Sequence, residues 1–304
     1  MKALLIVNPS ASSVTTRGRV VIQKALSADH DVTLAETTRR GHATRLAQSA
    51  AANGTEVVVV LGGDGTLNEA ANGLAGSSCA LAALPGGSTN VFARTIGLPN
   101  DPIEAMGDLL SALERKSIER VGLGSVNGRY FLFHVGMGFD AAVVAQVERR
   151  SSLKRYAGHP LFVYAGFATW IRHYDRSRPR FAVRLDDGSV VDDGYLCICL
   201  NTNPYTYLGN RPLNLAEEAT LDRGLALVTL RTLALGRTLR IIGSALVSGR
   251  HLRSSRWTDH RVDLEHLVVE GYGPFPYQVD GDHLGDTERL EIRHEPDILD
   301  LVMP

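Results

Sequence analysis

Val57-Val58-Val59-Val60-Leu61-Gly62-Gly63-Asp64-Gly65-Thr66-Leu67-Asn68-Glu69 is the stretch on which the reading of this chain turns. Four consecutive valines have the unbroken apolar character of a parallel strand buried on both faces. The glycines end that strand, and Thr66 to Leu74 reads as a helix. Ligands of open α/β sheets bind at the carboxyl ends of strands. Glycines there let a phosphate approach the backbone, and the helix N-terminus offers free N–H groups and the positive end of its dipole. A Gly-rich strand-to-helix turn capped by Thr66 would read the same way from this stretch alone. No Gly-Lys-Ser/Thr follows, so it is not a Walker-type loop, and its glycine spacing does not fit the dinucleotide fingerprint.

A second turn of the same kind follows the next strand, Leu84-Pro85-Gly86-Gly87-Ser88-Thr89-Asn90, and a third polar strand end is Asn8-Pro9-Ser10. Three such ends describe one cleft. Around them strand and helix alternate. Strands are expected at 3–7, 32–36, 56–61 and 80–84, and helices at 15–28, 42–52 and 66–74, with another starting over 89–96. Asn53-Gly54 is a C-cap signal. This βαβα order implies a parallel sheet with helices on its faces.

After about Val121 the pattern changes to short alternating runs: 129–135, 180–185, 195–200, 226–232, 261–270, 278–279 and 290–292. Asn127-Gly128, Asp187-Gly188 and Asp193-Gly194 are hairpin signals between them. Helical patches lie at 141–174 and 235–248. The expected fold class is therefore an α/β N-terminal domain with a parallel sheet, residues 1–122, followed by a mainly β domain, 123–290. Residues 291–304 would form a C-terminal segment returning to the first domain.

The chain has 304 residues, 44% hydrophobic and 21% charged, with a formal net charge of −1. Such a chain can bury a sizeable core without staples, and the charge argues against a dedicated nucleic-acid binder. Cys79, Cys197 and Cys199 are too few for a disulfide framework, and Cys197-Ile198-Cys199 has the period of a strand with both thiols on one face. No stretch of 18 apolar residues is present. The run Ala3–Val7 lacks the basic flank of a signal peptide. A cytoplasmic protein is expected. The neutral total is a cancellation: residues 148–261 carry a net +8 and 262–304 a net −9. A basic middle segment suits peripheral contact with an anionic membrane surface.

Asn8-Pro9, the Gly62–Glu69 run and Leu84-Pro85-Gly86-Gly87-Ser88-Thr89-Asn90-Val91-Phe92-Ala93 resemble, in order and spacing, the diacylglycerol kinase and sphingosine kinase-like lipid kinases. Gly136-Met137-Gly138-Phe139-Asp140 and Val279-Asp280-Gly281-Asp282 fit later motifs of that family. The resemblance implies an N-terminal α/β domain, a C-terminal β-sandwich and a nucleotide cleft between them. It also implies ATP- and Mg²⁺-dependent phosphoryl transfer to a lipid hydroxyl. It carries nucleotide contacts onto Asn8, Thr37, Gly62, Gly63, Asp64, Gly65, Thr66, Leu67, Asn68, Gly87, Ser88 and Asn90. Backbone N–H groups of both Gly-rich turns would hold the phosphates. Asp64 would serve the catalytic Mg²⁺, and Asp282 would be the base.

Asp282 stands where the family has Glu, one methylene longer, and a base must come within about 2.6–3.2 Å of the proton it takes. An incidental acid at an Asp-Gly hairpin turn is the plainer reading. The family's structural Mg²⁺ segment reads Leu221-Asp222-Arg223-Gly224-Leu225 here. Either Asp222 ligates after a local shift, or Arg223 replaces the ion's charge. Asp140 would orient a substrate head group or cap a helix. Arg149, Arg150, Lys154 and Arg155 would bind phosphates or anionic lipid, or form a solvated helix face. Tyr156, Phe162, Tyr164, Phe167 and Trp170 would pack a core or line an acyl pocket. The histidines read as structural or exposed. Expected partners are ATP and a lipid substrate at the membrane surface, with no nucleic acid. An exposed β edge can also pair two copies. The rival readings are an NAD kinase-like enzyme and a non-catalytic nucleotide or lipid sensor.

Overall fold

The computed structural model describes residues 1–149, 165–166, 168–170, 174–246, 252–253 and 255–304. The chain divides into two units, Met1–Leu123 with Pro296–Pro304, and Gly124–Glu295.

In the first unit, β1 (Lys2–Val7), β2 (Asp31–Glu36), β3 (Val57–Gly62) and β4 (Ala80–Pro85) form a parallel sheet in the order 2-1-3-4. All six residues of β3 and of β4 are buried, which is what the valine run demands. The helices are α1 (Thr16–Leu26), α2 (His42–Ala52), α3 (Asp64–Leu74), α4 (Val91–Thr95) and α5 (Pro102–Glu114). Thr15 caps α1 by accepting from the Gly18 N–H. Asp101 caps α5 through the N–H groups of Ile103 and Glu104, with Pro102 at the first helical position. Helix α4 covers only Val91–Thr95 of the run that starts at Thr89, because Asn90 sits in the left-handed region at φ 50°.

The second unit is mainly β. Its strands include β6 (Arg129–Phe131), β7 (His134–Gly138), β8 (Phe181–Leu185), β9 (Val190–Gly194), β10 (Leu196–Leu200), β13 (Leu225–Leu230), β14 (Thr258–Leu264) and β15 (His266–Val279). Strands β5 (Ile118–Val126) and β16 (Asp282–Val302) run from one unit into the other. Short β11 (Thr206–Leu208) and β12 (Arg211–Leu213) pair with each other. The pairing path is 14-13-10-7-15-16, antiparallel throughout; β8 also pairs with β15, and β9 pairs with β8. Its described helices include α6 (Phe139–Glu148) and α7 (Leu235–Ala245).

Cys197 and Cys199 face a core with Phe131, Met137, Phe181, Val269 and Phe275, while Ile198 and Leu200 face a second core under α7. The period-2 reading of Cys-Ile-Cys therefore holds, and all three thiols are free and buried. Burial pushes Cys197 up to about 12 and Cys79 up to about 11, so these thiols are inert.

Residues 296–304 group with the first unit, and β16 carries the chain there as a single 21-residue strand. Two expectations change here. The run 129–135 splits into β6 and β7. Asp193-Gly194 is not a turn: it ends β9, and a Cβ on Gly194 would lie 2.4 Å from the ring of the buried Phe181. Arg150, Lys154, Arg155, Tyr156, Phe162, Tyr164 and Phe167 lie outside the described residues. Trp170 donates its indole N–H to the Leu233 carbonyl at 3.0 Å. Among the described residues, no helix is long and apolar enough to cross a membrane.

Candidate functional site

The first group of residues sits at the carboxyl ends of β1, β3 and β4, where strand order reverses around β1. The Asn8 amide donates to Thr66 Oγ1 at 2.9 Å and accepts from the Ser10 N–H at 3.0 Å, tying the end of β1 to the start of α3. The two Gly-rich turns touch backbone to backbone. The Gly86 N–H donates to the Gly62 carbonyl at 2.8 Å. A Cβ on Gly86 would lie 2.8 Å from Gly62 N, and one on Gly87 would lie 2.8 Å from Gly63 Cα. These glycines are thus required first by the packing of one turn on the other. Ser13 closes the far side, donating its N–H to the Gly86 carbonyl and its hydroxyl to the Gly87 carbonyl.

The acids of α3 cap its neighbours. Asp64 accepts from the Val91 N–H at 3.0 Å and the Phe92 N–H at 3.1 Å, filling the N-terminus of α4, where Asn90 makes no cap bond of its own. Glu69 accepts from the Gly41 and Ala43 N–H groups at 2.7 and 3.2 Å, and does the same for α2, which also lacks a side-chain cap. Both carboxylates meet the positive end of a helix. The N-terminus of α3 begins at Gly63, which has no side chain to cap it.

The remaining expected residues divide. Asn90 is buried and shapes its own loop, accepting from the Gly87 N–H at 2.7 Å and donating to the Gly87 carbonyl and to Asn100. The N–H groups of Gly86 and Gly87 are therefore spent inside the protein. The second turn cannot offer them to a phosphate as expected; Ser88 is its exposed residue. Leu67 is core, and the buried Asn68 accepts from the Asn72 amide, so these two meet a ligand only through backbone. Thr37 follows β2 and donates its N–H to the Val7 carbonyl at 2.9 Å.

The second group is the β15–β16 hairpin. Asp280 and Gly281, at φ 48° and 81°, form its two-residue turn, and Val279 pairs with Asp282. Asp280 is buried and accepts three backbone N–H groups, from Leu132 at 2.7 Å and from Phe133 and His134 at 3.0 Å. Asp282 is partly exposed, with the Arg129 guanidinium 3.7 Å from its carboxylate. The two acids of Asp-Gly-Asp therefore do different work. Asp280 anchors the turn, and Asp282 stands at the surface beside a cation.

Asp140 belongs to the same constellation. The helix cap at this point is Gly138, not Asp140. The buried Asp140 carboxylate accepts from the Tyr205 hydroxyl and from Gln278 Nε2 at 2.8 Å. Gln278 Oε1 in turn accepts the Gly281 N–H at 2.8 Å. A Cβ on Gly136 would fall 1.7 Å from Asp140 Oδ2, which explains that glycine. Burial raises the Asp140 carboxyl above its usual range, while the bonds from Tyr205 and Gln278 pull it back. Burial lowers the neighbouring His134 to about 3, so its ring is neutral. Gln278 and Tyr205 carry no sequence signal, because their importance lies in partners 65 to 138 residues away.

Asp222 joins neither group. It is exposed in the turn before β13, where the Thr220 hydroxyl holds its carboxyl below the usual range. Arg223 forks onto Asp263, its Nε 3.1 Å from Oδ1. Among the described residues no group of three His, Cys, Asp or Glu side chains could hold a metal ion.

Comparison with known proteins bears on the first group. The model of the diacylglycerol kinase catalytic domain matches residues 2–128. A diacylglycerol kinase of Bacillus subtilis strain 168 is 34% identical over 170 residues, 54% of this chain and 54% of the relative. The chain thus spans about half the length of the curated relatives it matches first. A crystal structure of a diacylglycerol kinase from Bacillus anthracis strain Sterne superposes with a TM-score of 0.71 at 21% identity, covering 100% of this chain and 97% of that one. An NAD kinase from Archaeoglobus fulgidus in complex with ATP gives 0.54 at 14% identity, covering 99% and 93%. These two structures share the fold. Residues 2–128, which hold the two packed glycine turns and both capping acids of α3, match the diacylglycerol kinase catalytic-domain family.

Proposed function

We propose that the protein is an ATP-dependent lipid kinase that transfers the γ-phosphate to the hydroxyl of diacylglycerol or a related lipid. The observation that carries this reading is the glycine-lined end of β3, packed against the second turn and leading into a helix with no side-chain cap. Such an end suits a phosphate. The Gly62–Gly65 backbone is assigned to the phosphates, with the Ser88 hydroxyl beside it. Asn8, Thr66, Asn90 and Asp64 hold the loops in that shape.

The carboxylate of Asp64 would repel a polyphosphate at this point unless a cation lay between them. A carboxylate oxygen carries two lone pairs, so an acid that holds a helix end can also face a cation. Mg²⁺ needs only one or two carboxylates when phosphate oxygens complete its shell, so the absence of a three-ligand cluster among the described residues fits this use. When bound, ATP and Mg²⁺ supply the phosphoryl group and neutralise its charge. Asp282 takes the hydroxyl proton. Asp280, Gln278 and Asp140 fix the hairpin that carries it. Arg223, paired with Asp263, takes the place of a structural cation near Asp222.

The test is transfer of label from γ-labelled ATP to detergent-dispersed diacylglycerol, with NAD as a second acceptor. Labelled phosphatidic acid is expected. Label on NAD, or tight ATP binding without transfer to any lipid of a total extract, would overturn the reading.

A further inference from the structure

Helix α7 presents three faces. Thr238, Ile241 and Ala245 are buried against the core that holds Val228 and Leu230. Leu235, Leu239, Ile242 and Leu246 are 41%, 57%, 45% and 37% exposed. Their spacing of four, three and four residues places them on one narrow stripe. Single exposed apolar side chains need no explanation, but four aligned on one helix do. Arg237, Arg240 and Ser244 lie on the side away from that stripe. The helix contains no acid. The Arg237 guanidinium lies 5.0 Å over the Trp257 ring, and that of Arg256 lies 5.4 Å over the same ring. Among the described residues, Arg237, Arg240 and Arg256 have no carboxylate partner.

We propose that α7, with Arg256, is a docking surface for an anionic phospholipid bilayer. The helix lies along the surface, the leucine stripe enters the boundary between headgroups and acyl chains, and the arginines pair with lipid phosphates. An apolar stripe opposite a basic, acid-free face is the pattern of an interfacial helix. Charge selects the occupant. A sheet of phosphates complements Arg237, Arg240 and Arg256. The +8 of residues 148–261 acts in the same sense. The choice of a bilayer rests on the lipid-kinase reading. Binding needs no phosphate transfer, however, so the two can fail separately.

The experiment is co-sedimentation of the full chain with vesicles of phosphatidylcholine alone, or with half the lipid replaced by phosphatidylglycerol, across a salt series. Binding is expected only to the anionic vesicles. Raising salt from 50 to 500 mM should weaken it about tenfold or more. Leu239→Ser with Ile242→Ser should lower partitioning at least tenfold. Arg237→Gln with Arg240→Gln should lower it about tenfold or more and flatten the salt dependence. Val190→Ser, an equally exposed apolar site on β9, should change nothing. These side chains are exposed, so unchanged melting of each variant is expected and checks that the fold is intact. Equal loss in the Val190→Ser control, or no binding to anionic vesicles, would overturn the proposal. So would self-association in sedimentation velocity that Leu239→Ser abolishes, which would assign the stripe to a second copy.

Discussion

The turn after β3 and the hairpin between β15 and β16 are built from the same two residue types and use them in opposite ways. In the first, the acid looks inward to the fold: both oxygens of Asp64 hold the start of α4, and the glycines let the second turn pack close. In the second, the glycine is the hinge of a tight turn, and the acids split into a buried anchor and an exposed carboxylate. What separates the anchoring aspartates from the acid proposed as the base is the number of backbone N–H groups seen to hold each. Asp64 receives two and Asp280 three, whereas Asp282 has the flexible side chain of Arg129 beside it.

The largest effect should come from the anchor. Asp280→Ala leaves three buried N–H groups without their acceptor, and a loss of about 3–5 kcal/mol in urea unfolding is expected. A loss below about 1 kcal/mol would erase the distinction between Asp280 and its neighbour two residues on. Next are the touching glycines. Gly87→Ala forces a Cβ against Gly63 Cα at 2.8 Å, and a loss of about 1–3 kcal/mol is expected in the same measurement. Weaker ATP binding by titration calorimetry should accompany it.

Asp140 sharpens the comparison through pH. Its folded carboxyl is raised above the unfolded value of 3.8, so the native state holds the proton more tightly than the unfolded one. Stability from this group is therefore full below pH 3.8, falls as pH rises toward the folded value and is constant above it. Asp140→Asn removes that slope. The difference in stability between variant and wild type should shift in favour of the variant as pH rises from 3.8, as read from denaturation at several pH values. A flat difference would contradict the buried-acid account. The smallest effect is expected at Thr66→Val, which breaks the bond from Asn8 and should cost about 1 kcal/mol.

Much of the first unit was legible because its signals are local. A valine run buried on both faces, Asn53-Gly54 after a helix and glycines after a strand all lie within a few residues of the structure they dictate. Helix α5 has such a signal too, Asp101-Pro102 with Glu104 behind it, but the helix expected over 89–96 stops short of it. Capping of α2 and α4 by Glu69 and Asp64 was not legible, since each acid serves a helix 26 to 28 residues away. In the second unit the hairpin at Asp280-Gly281 lies in the sequence, but its division of labour does not. Asp280 and Asp282 are equivalent acids until the chain from Leu132 to His134 folds back onto one of them. Asp193-Gly194 fails for the same reason: its glycine answers to the ring of Phe181, not to a turn.

The most direct test compares Asp282→Asn with wild type in one preparation, measuring labelled phosphate transfer to diacylglycerol and the urea midpoint together. The account predicts a loss of turnover of about 100-fold or more with an unchanged midpoint, as for an exposed base. Turnover within tenfold of wild type, or a loss that tracks a lowered midpoint, would contradict it.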